Sequence, residues 1–311
     1  MTNIMKKSFR IGVDIGGTKI EGIIIDDHGK QLTRRRVKTP AGKYLSIIKS
    51  VCELVSDMNK NDLLSPDIPV GVGIPGTICN ETGLVKNANS VCLIGKPLKE
   101  DLSKALSRRI RIENDANCFV TSEAVDGAGK GLKVIFGAIL GTGVGGGIAI
   151  DGSPWIGTNL IAGEWGHNPL PWALADKKWP AGRDETPGPK CYCGKFGCIE
   201  TFLSGPALAR DHGSKFSSAE INVLATKGDL KAKNSIKRYE HRLARALASI
   251  INTIDPDAII LGGGLSNINR LYKNVPTLWG KWIFSPNCKT PLLKNVHGDS
   301  SGVRGAAWLW P

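Results

Sequence analysis

One histidine and three cysteines stand close enough in the sequence to form a metal site. Gly163-Glu164-Trp165-Gly166-His167 is followed by Cys191, Cys193 and Cys198, in a Cys-x-Cys-x4-Cys spacing. Zinc takes four nitrogen and sulfur ligands in a tetrahedron. Gly194 and Gly197 lie between the thiols, where the chain must turn tightly to bring them together. His167 is 24 residues upstream of Cys191, so the spacing permits it as fourth ligand without requiring it. Glu164 and Glu200 are interleaved with these residues. A structural zinc would hold both carboxylates as fixed hydrogen-bond acceptors, which recognition of a polyhydroxyl compound needs.

Two glycine turns suit anions. In Asp14-Ile15-Gly16-Gly17-Thr18-Lys19, glycines at a tight turn leave backbone N–H groups free to face a phosphate. Thr18 adds a hydroxyl, Lys19 a positive charge, and Asp14 could hold Mg²⁺ directly or through water. An ordinary hairpin turn explains this segment about equally well. Gly141-Thr142-Gly143 repeats the arrangement, which favours a phosphate clamp. No Gly-x4-Gly-Lys-Ser/Thr is present, and Gly145-Gly146-Gly147 leads into a strand where a dinucleotide fingerprint must open a helix. Asn114-Asp115 follows a short apolar run. An Asp there can accept the proton of a hydroxyl attacking a phosphoryl group. Taken alone, the pair reads better as a helix N-cap.

The elements that must position these residues alternate along the chain. Residues 8–27 read as strand, glycine turn and strand, with a third strand at 31–38. Helical spacing follows at 46–59, a buried strand at 70–74, a helix at 98–106 and a strand at 110–113. The strand–glycine–strand unit recurs at 134–150, with 141–147 as the turn, which suggests two related halves. Residues 172–190 read as an exposed loop, 217–253 as two helices, 257–261 as a buried strand before Gly262-Gly263-Gly264, and 267–272 as helical. The end, Gly305 to Trp310, reads as a small-residue helix on a core. This pattern is α/β in two domains.

Composition narrows the class. The chain has 311 residues, 41% hydrophobic and 22% charged, values ordinary for a globular protein. No apolar stretch reaches the ~20 residues a bilayer span needs, and the start lacks the apolar core of a signal peptide, so a cytoplasmic protein without a membrane partner is expected. Cys52, Cys79, Cys92, Cys118 and Cys288 are scattered without a pairing pattern. The net charge of +13 is spread along the chain, densest at Arg34-Arg35-Arg36, so no nucleic-acid partner is expected.

Together these motifs resemble the ROK family of repressors, open reading frames and sugar kinases. The segments from Asp14 to Lys19, Glu113 to Asn117, Gly141 to Gly147 and Gly163 to His167, then the Cys loop, occur in that family's order. The resemblance implies an actin-like ATPase fold of two ribonuclease-H-like domains with ATP and sugar meeting in a cleft. It assigns residues 1–115 plus 298–311 to a small N-terminal domain with the C-terminal helix, and 116–297 to a large domain with the zinc site. It makes Asp115 the catalytic base, and Asn89, Asn114, Glu164, His167 and Glu200 the sugar ligands. His167, Cys191, Cys193 and Cys198 become the Zn²⁺ ligands. Asp14, Gly16, Gly17, Thr18, Lys19, Thr142 and Gly143 serve ATP and Mg²⁺, with Gly262, Gly263 and Gly264 at the adenosine. The long insert at 172–190 departs from the family and could form a lid or an oligomer contact. A homodimer is implied.

The wording of residues 85–90, 163–172 and 298–310 is similar to the bacterial fructokinase (manno-fructokinase) branch. The expected activity is therefore an ATP-dependent hexose kinase making fructose 6-phosphate, with mannose as a second acceptor. The alternative within the family is an N-acetylglucosamine or glucose kinase. A sugar-responsive DNA-binding repressor is less expected, because the Asp14 loop begins almost at the first residue and Asp115 is present.

Overall fold

The computed structural model describes residues 9–59, 65–88, 90–173 and 185–310. The first elements are β1 (Phe9–Ile15), β2 (Lys19–Asp26), β3 (Gln31–Lys38), α1 (Tyr44–Met58), β4 (Val70–Ile74), β5 (Thr77–Ile78) and β6 (Val85–Lys86). Next come α2 (Leu98–Leu106), β7 (Ile110–Asn114), α3 (Asp115–Val125), β8 (Val134–Leu140), β9 (Val144–Ile150) and β10 (Ser153–Pro154). The rest are α4 (Glu200–Leu203), α5 (Gly205–His212), α6 (Ser218–Thr226), α7 (Leu230–Ile254), β11 (Ala258–Gly262), α8 (Arg270–Trp279), β12 (Leu292–Lys294) and α9 (Ser301–Trp308).

The chain divides into two compact units. One holds residues 1–130, 152–154 and 299–311, the other 131–151 and 155–298. The first boundary follows Lys130 rather than Asp115, because α3 packs on α9 and stays with the first sheet.

In the first unit the sheet order is β3–β2–β1–β4–β7. β1 is antiparallel to β2 and parallel to β4, and β4 is parallel to β7. In the second, the central strands run β9–β8–β11–β12, with β8 antiparallel to β9 and parallel to β11. A hairpin followed by parallel additions is the ribonuclease-H-like arrangement, and it occurs twice, as the repeated strand–glycine–strand motif suggests.

Periodicity explains how each unit closes. In α1, Ile47, Ile48, Val51, Leu54, Val55 and Met58 are buried on one face against β2 and β3. In α7, Ile236, Tyr239, Leu243, Leu247 and Ile251 recur every three or four residues and face the second core. On the other side of the first sheet lies α9. Its backbone sits so close that a methyl on Gly71 of β4 would overlap the Ala306 carbonyl. A methyl on Gly305 would overlap the Cys118 carbonyl of α3. The small-residue run at the end of the chain is thus required by backbone-to-backbone packing.

β9 begins at Val144, so Gly145, Gly146 and Gly147 lie inside the strand and the turn is confined to 141–143. The short elements β5, β6, β10, β12, α4 and α5 carry no periodic signal long enough to read.

Gly71→Ala should cost roughly 2–3 kcal/mol or more, the penalty of overpacking a closed core. Gly280→Ala, with open space around the new methyl, should cost little. Urea midpoints of the two variants check this, and equal midpoints would refute the close α9 packing.

Candidate active site

Register brings the chemistry of the first unit to one end of its sheet. Asp14 pairs with Gly73 across β1 and β4, Gly73 pairs with Glu113 of β7, and Asp115 opens α3 one residue beyond β7. The two oxygens of Asp14 rest near the Cα faces of Gly73 and Gly302. Burial, then the neighbouring carboxylates of Asp115 and Glu21, push the Asp14 carboxyl up to about 7. Glu21 is itself buried and is paired with Arg34, with Arg36 at 2.6 Å and with Lys19 at 3.5 Å.

The turn after β1 is pinned at both shoulders. Gly16 N–H donates to the Lys19 carbonyl at 3.0 Å, and Thr39 Oγ1 donates to the Gly16 carbonyl at 2.7 Å. Gly17 and Thr18 are exposed at its tip. Lys19 departs from the simple expectation. Its ammonium lies between Glu21 and Asp299, 3.7 Å from the latter, and so is tied to the β2–β3 edge.

Asn114 caps α3: its Oδ1 accepts from Ala116 N–H at 2.8 Å. Its Nδ2 donates to the Gly76 carbonyl at 3.4 Å. Asp115 also accepts from Ala116 N–H at 2.8 Å and is exposed to solvent. The cap and the expected base are thus adjacent residues of one turn. Asn89 lies outside the described residues.

In the second unit, Gly141-Thr142-Gly143 closes on itself through Gly141 N–H to the Gly143 carbonyl at 2.9 Å. Glu200 Oε2 accepts from Val144 N–H at 2.9 Å and lies against Gly143. One carboxylate oxygen of an expected sugar ligand therefore braces the turn expected to face phosphate. Gly262 ends β11 beside Ile139 of β8, and Gly263, directly after the strand, adopts φ +77° where it crosses the Leu140 carbonyl. Gly264 begins a short 3₁₀ turn.

The segment 163–167 is pressed onto β9. Trp165 Nε1 donates to the Gly145 carbonyl at 2.7 Å, its ring meets Phe136 edge-on, and side chains at Gly146 or Gly166 would collide with this packing. This is why glycines occupy the middle of a strand. Residues 168–170 then pair with 197–199, which carries His167 to the Cys loop.

The four expected ligands converge. The ligand atoms of His167, Cys191, Cys193 and Cys198 all lie within 4.8 Å of one another. Cys191 Sγ is 3.6 Å from His167 Nδ1, and Cys193 Sγ is 3.6 Å from Cys198 Sγ. Zinc–sulfur bonds of ~2.3 Å in a tetrahedron imply edges of roughly 3.8 Å, so the donor set fits zinc. Burial, then its thiol neighbours, push Cys198 up to about 12, and a divalent cation reverses that preference by stabilising thiolates.

Tyr192 is the residue that sequence reasoning missed. Its hydroxyl is 3.0 Å from His167 Nε2, and the rings meet edge-on at 5.1 Å. Burial and the charges of Glu200 and Glu164 raise its phenol. Both imidazole nitrogens are thus engaged, Nδ1 toward the thiols and Nε2 toward a hydroxyl. An aromatic between two ligands was its only signal.

The expected insert is anchored at both ends. The Trp172 carbonyl accepts from Arg245 at 2.5 Å, and Glu185 pairs with Arg245 and Arg242 at 2.7 and 2.8 Å in a buried network with Asp211. Residues 174–184 lie outside the described residues.

Residues 10–311 match the profile of the ROK family. The N-acetyl-D-glucosamine kinase of Pectobacterium atrosepticum is 39% identical over 303 residues, 96% of this chain and 97% of that protein. The N-acetyl-D-glucosamine kinase of Escherichia coli O6:H1 is 39% identical over 304 residues, 96% of this chain and 98% of its own length. Among solved structures, the ROK hexokinase from Thermus thermophilus aligns with a TM-score of 0.83 at 26% identity, covering 97% of each chain. A ROK family glucokinase from Streptomyces griseus, in complex with glucose and AMPPNP, aligns with a TM-score of 0.77 at 28% identity, covering 97% of this chain and 99% of that one.

The raised carboxyl of Asp14 has a stability signature. The folded chain keeps its proton up to about pH 7, whereas the unfolded chain loses it near ~3.9. The folded state therefore binds more protons across that window, and stability falls as pH rises through it. Asp14→Asn removes the penalty. The variant should be more stable than the native chain at pH 8 by about 1–3 kcal/mol, allowing for the carboxyl's partial solvent access, and no more stable at pH 4. Denaturant unfolding at the two pH values checks this; a pH-independent difference would refute it.

Proposed function

The chain belongs to the ROK family and is a sugar kinase, and from that premise we propose that it transfers the γ-phosphoryl group of ATP to the 6-hydroxyl of N-acetyl-D-glucosamine. The whole-length likeness to N-acetyl-D-glucosamine kinases, at 39% identity over 96% of the chain, carries the choice of acceptor. Fructose, with mannose beside it, is the second reading, favoured by the wording of residues 163–172.

In this reading Asp115 accepts the proton of the 6-hydroxyl as its oxygen bonds to the γ-phosphorus and the bond to the departing ADP oxygen breaks. The exposed position of Asp115 at the first turn of α3 supports this role. Asn114, Glu164, His167 and Glu200 orient sugar hydroxyls, and Asn89 is assigned to the same task. Tyr192 joins them, because its hydroxyl lies 3.0 Å from His167 Nε2, where it can relay between the imidazole and a sugar hydroxyl. The N–H groups of the turns at Gly16–Thr18 and Thr142–Gly143 face phosphate oxygens, and Gly262–Gly264 face the adenosine. Sugar kinases use ATP with Mg²⁺, which neutralises charge on the transferring group, and Asp14 is the carboxylate assigned to hold it.

Zinc on His167, Cys191, Cys193 and Cys198 would fix the imidazole's tautomer and orientation. A thiol-rich site of this kind suits a reducing, cytoplasmic compartment. The homodimer implied by the family belongs to the same proposal, and sedimentation checks it.

ADP release with N-acetyl-D-glucosamine, glucose, mannose and fructose at equal concentrations tests the acceptor. The highest kcat/KM should belong to N-acetyl-D-glucosamine, and a preference for fructose would install the second reading. Asp115→Asn should lower kcat by about 10²–10⁴-fold with little change in sugar affinity; a kcat within tenfold of the native value removes Asp115 as the base. Metal analysis should find about one zinc per chain in the native protein and close to none in Cys193→Ser. Full zinc in that variant would overturn the ligand set.

A further inference from the structure

At the far end of the first sheet, the strands that carry the catalytic residues begin among arginines. Arg10 lies in β1, Arg109 directly precedes β7, and Arg111 lies within it. With Phe9, Asp67, Ile68, Pro69 and Trp310 these three line a cavity of about 380 Å³. Arg111 is four residues before Asp115, about 13 Å along an extended strand, so the cavity is separate from the catalytic turns.

The guanidinium groups are stacked and held in place. Arg109 and Arg111 lie over the Trp310 ring at 5.1 and 4.1 Å, and Arg10 lies over Trp308 at 4.6 Å. Arg10 Nε donates to the Trp310 carbonyl at 3.1 Å, and Arg111 Nη1 donates to the Leu309 carbonyl at 2.5 Å. A fourth arginine, Arg108, donates to the carbonyls of Ser65 and Ile68 at 2.9 and 2.7 Å. These acceptors are all neutral.

Among the described residues, the hydrogen bonds of these arginines pair none of them with a carboxylate. Among the described residues, Asp27 acts on Arg10 and Asp67 on Arg108 from beyond hydrogen-bonding reach. Arg10 Nη1 is buried with no hydrogen-bond partner among the described residues. A buried donor left unmade costs about 1–3 kcal/mol. Ring stacking satisfies the flat faces of these groups and leaves their N–H edges to find acceptors.

We propose that this cavity binds a small phosphate-bearing dianion, of the size of a phosphate monoester. Such an anion would supply acceptors to the Arg10 Nη1 donor and to the guanidinium edges that line the cavity. Oxygens of a tetrahedral phosphate accept the paired N–H groups that arginine presents as a fork. The cavity lies within the range of small-molecule sites, roughly 300–1,000 Å³. The rings of Trp308 and Trp310 fix the arginines before the ligand arrives, which lowers the ordering cost of binding.

Calorimetric titration of the full chain with inorganic phosphate, and separately with pyrophosphate, tests this. Each titration is run with and without saturating AMPPNP, in a buffer free of other oxyanions. The expected result is saturable binding of at least one of the two at one site per chain, retained when AMPPNP is present. Affinity should fall tenfold or more in Arg109→Ala and in Arg111→Ala. Arg111 holds a backbone carbonyl and its loss could unfold the edge. Arg109 stacks on the ring and holds no carbonyl with its side chain among the described residues, so its variant keeps the test sharp, with melting temperature confirming the fold. Absence of saturable binding, loss of binding when AMPPNP is present, or unchanged affinity in Arg109→Ala would each overturn the proposal.

Discussion

Close approach of one backbone to another, permitted only by glycine, is the constraint on which both units depend. In the first unit, α9 can reach the sheet because Gly71 presents no side chain to Ala306 and Gly305 none to Cys118. Without that approach, Gly302 could not lie beside the Asp14 carboxyl. In the second unit, glycines of β9 let Trp165 and its neighbours lie flat on the strand, and that seat determines where His167 meets the thiols. Interiors are close-packed, so a displaced helix or loop cannot be absorbed by slack elsewhere. The glycines of this chain are thus divided between tight turns and seats that fix the elements packed on them.

Electrostatics at the sheet end works against stability. Asp14 is placed where burial and two neighbouring carboxylates disfavour its charge. Among the described residues, no cation makes a direct ion pair with it. Arg34, Arg36 and Lys19 pair with Glu21, the residue directly opposite Asp14 in the β1–β2 register, and Lys19 and Arg36 offset the Asp14 charge only from a distance. Glu21 thereby becomes a tolerable buried acid, while Asp14 remains disposed to take a proton or a cation. Functional sites accept such local costs because the surrounding core supplies the stability.

Most of the framework was legible because it is local. The apolar runs of β1, β4, β7, β8 and β11 and the spacing of α1 and α7 follow from neighbours in sequence, and the Cys spacing by itself pointed to a ligand set. What escaped reading depends on residues far apart. Gly145 to Gly147 read as turn because the chain that packs on them comes some twenty residues later. β12 is three residues long and exists as a strand only through β11. Glu185 sat in a segment read as solvent-exposed loop, yet it is buried because Arg242 and Arg245 on α7 meet it. The arginine cavity joins positions 10, 109, 111 and 310, a grouping that no window of sequence contains.

The same distance effect explains why bland and functional readings of one residue need not compete. Asn114 is a helix cap, as its type and position suggest, and the cap uses only the side-chain oxygen. That bond fixes the first turn of α3 and with it the backbone that presents Asp115. Glu200 repeats the logic with a carboxylate: one oxygen holds Val144 N–H and so sets the turn at Gly141–Gly143. Its chain position, two residues after Cys198, ties that turn to the Cys loop. Asn114 uses both polar ends structurally, its oxygen on the α3 cap and its nitrogen on the Gly76 carbonyl, whereas the bond of Glu200 to Val144 engages one carboxylate oxygen. Where such residues stand at the start of a helix beside a glycine turn, the structural bond is what makes the chemical position reproducible.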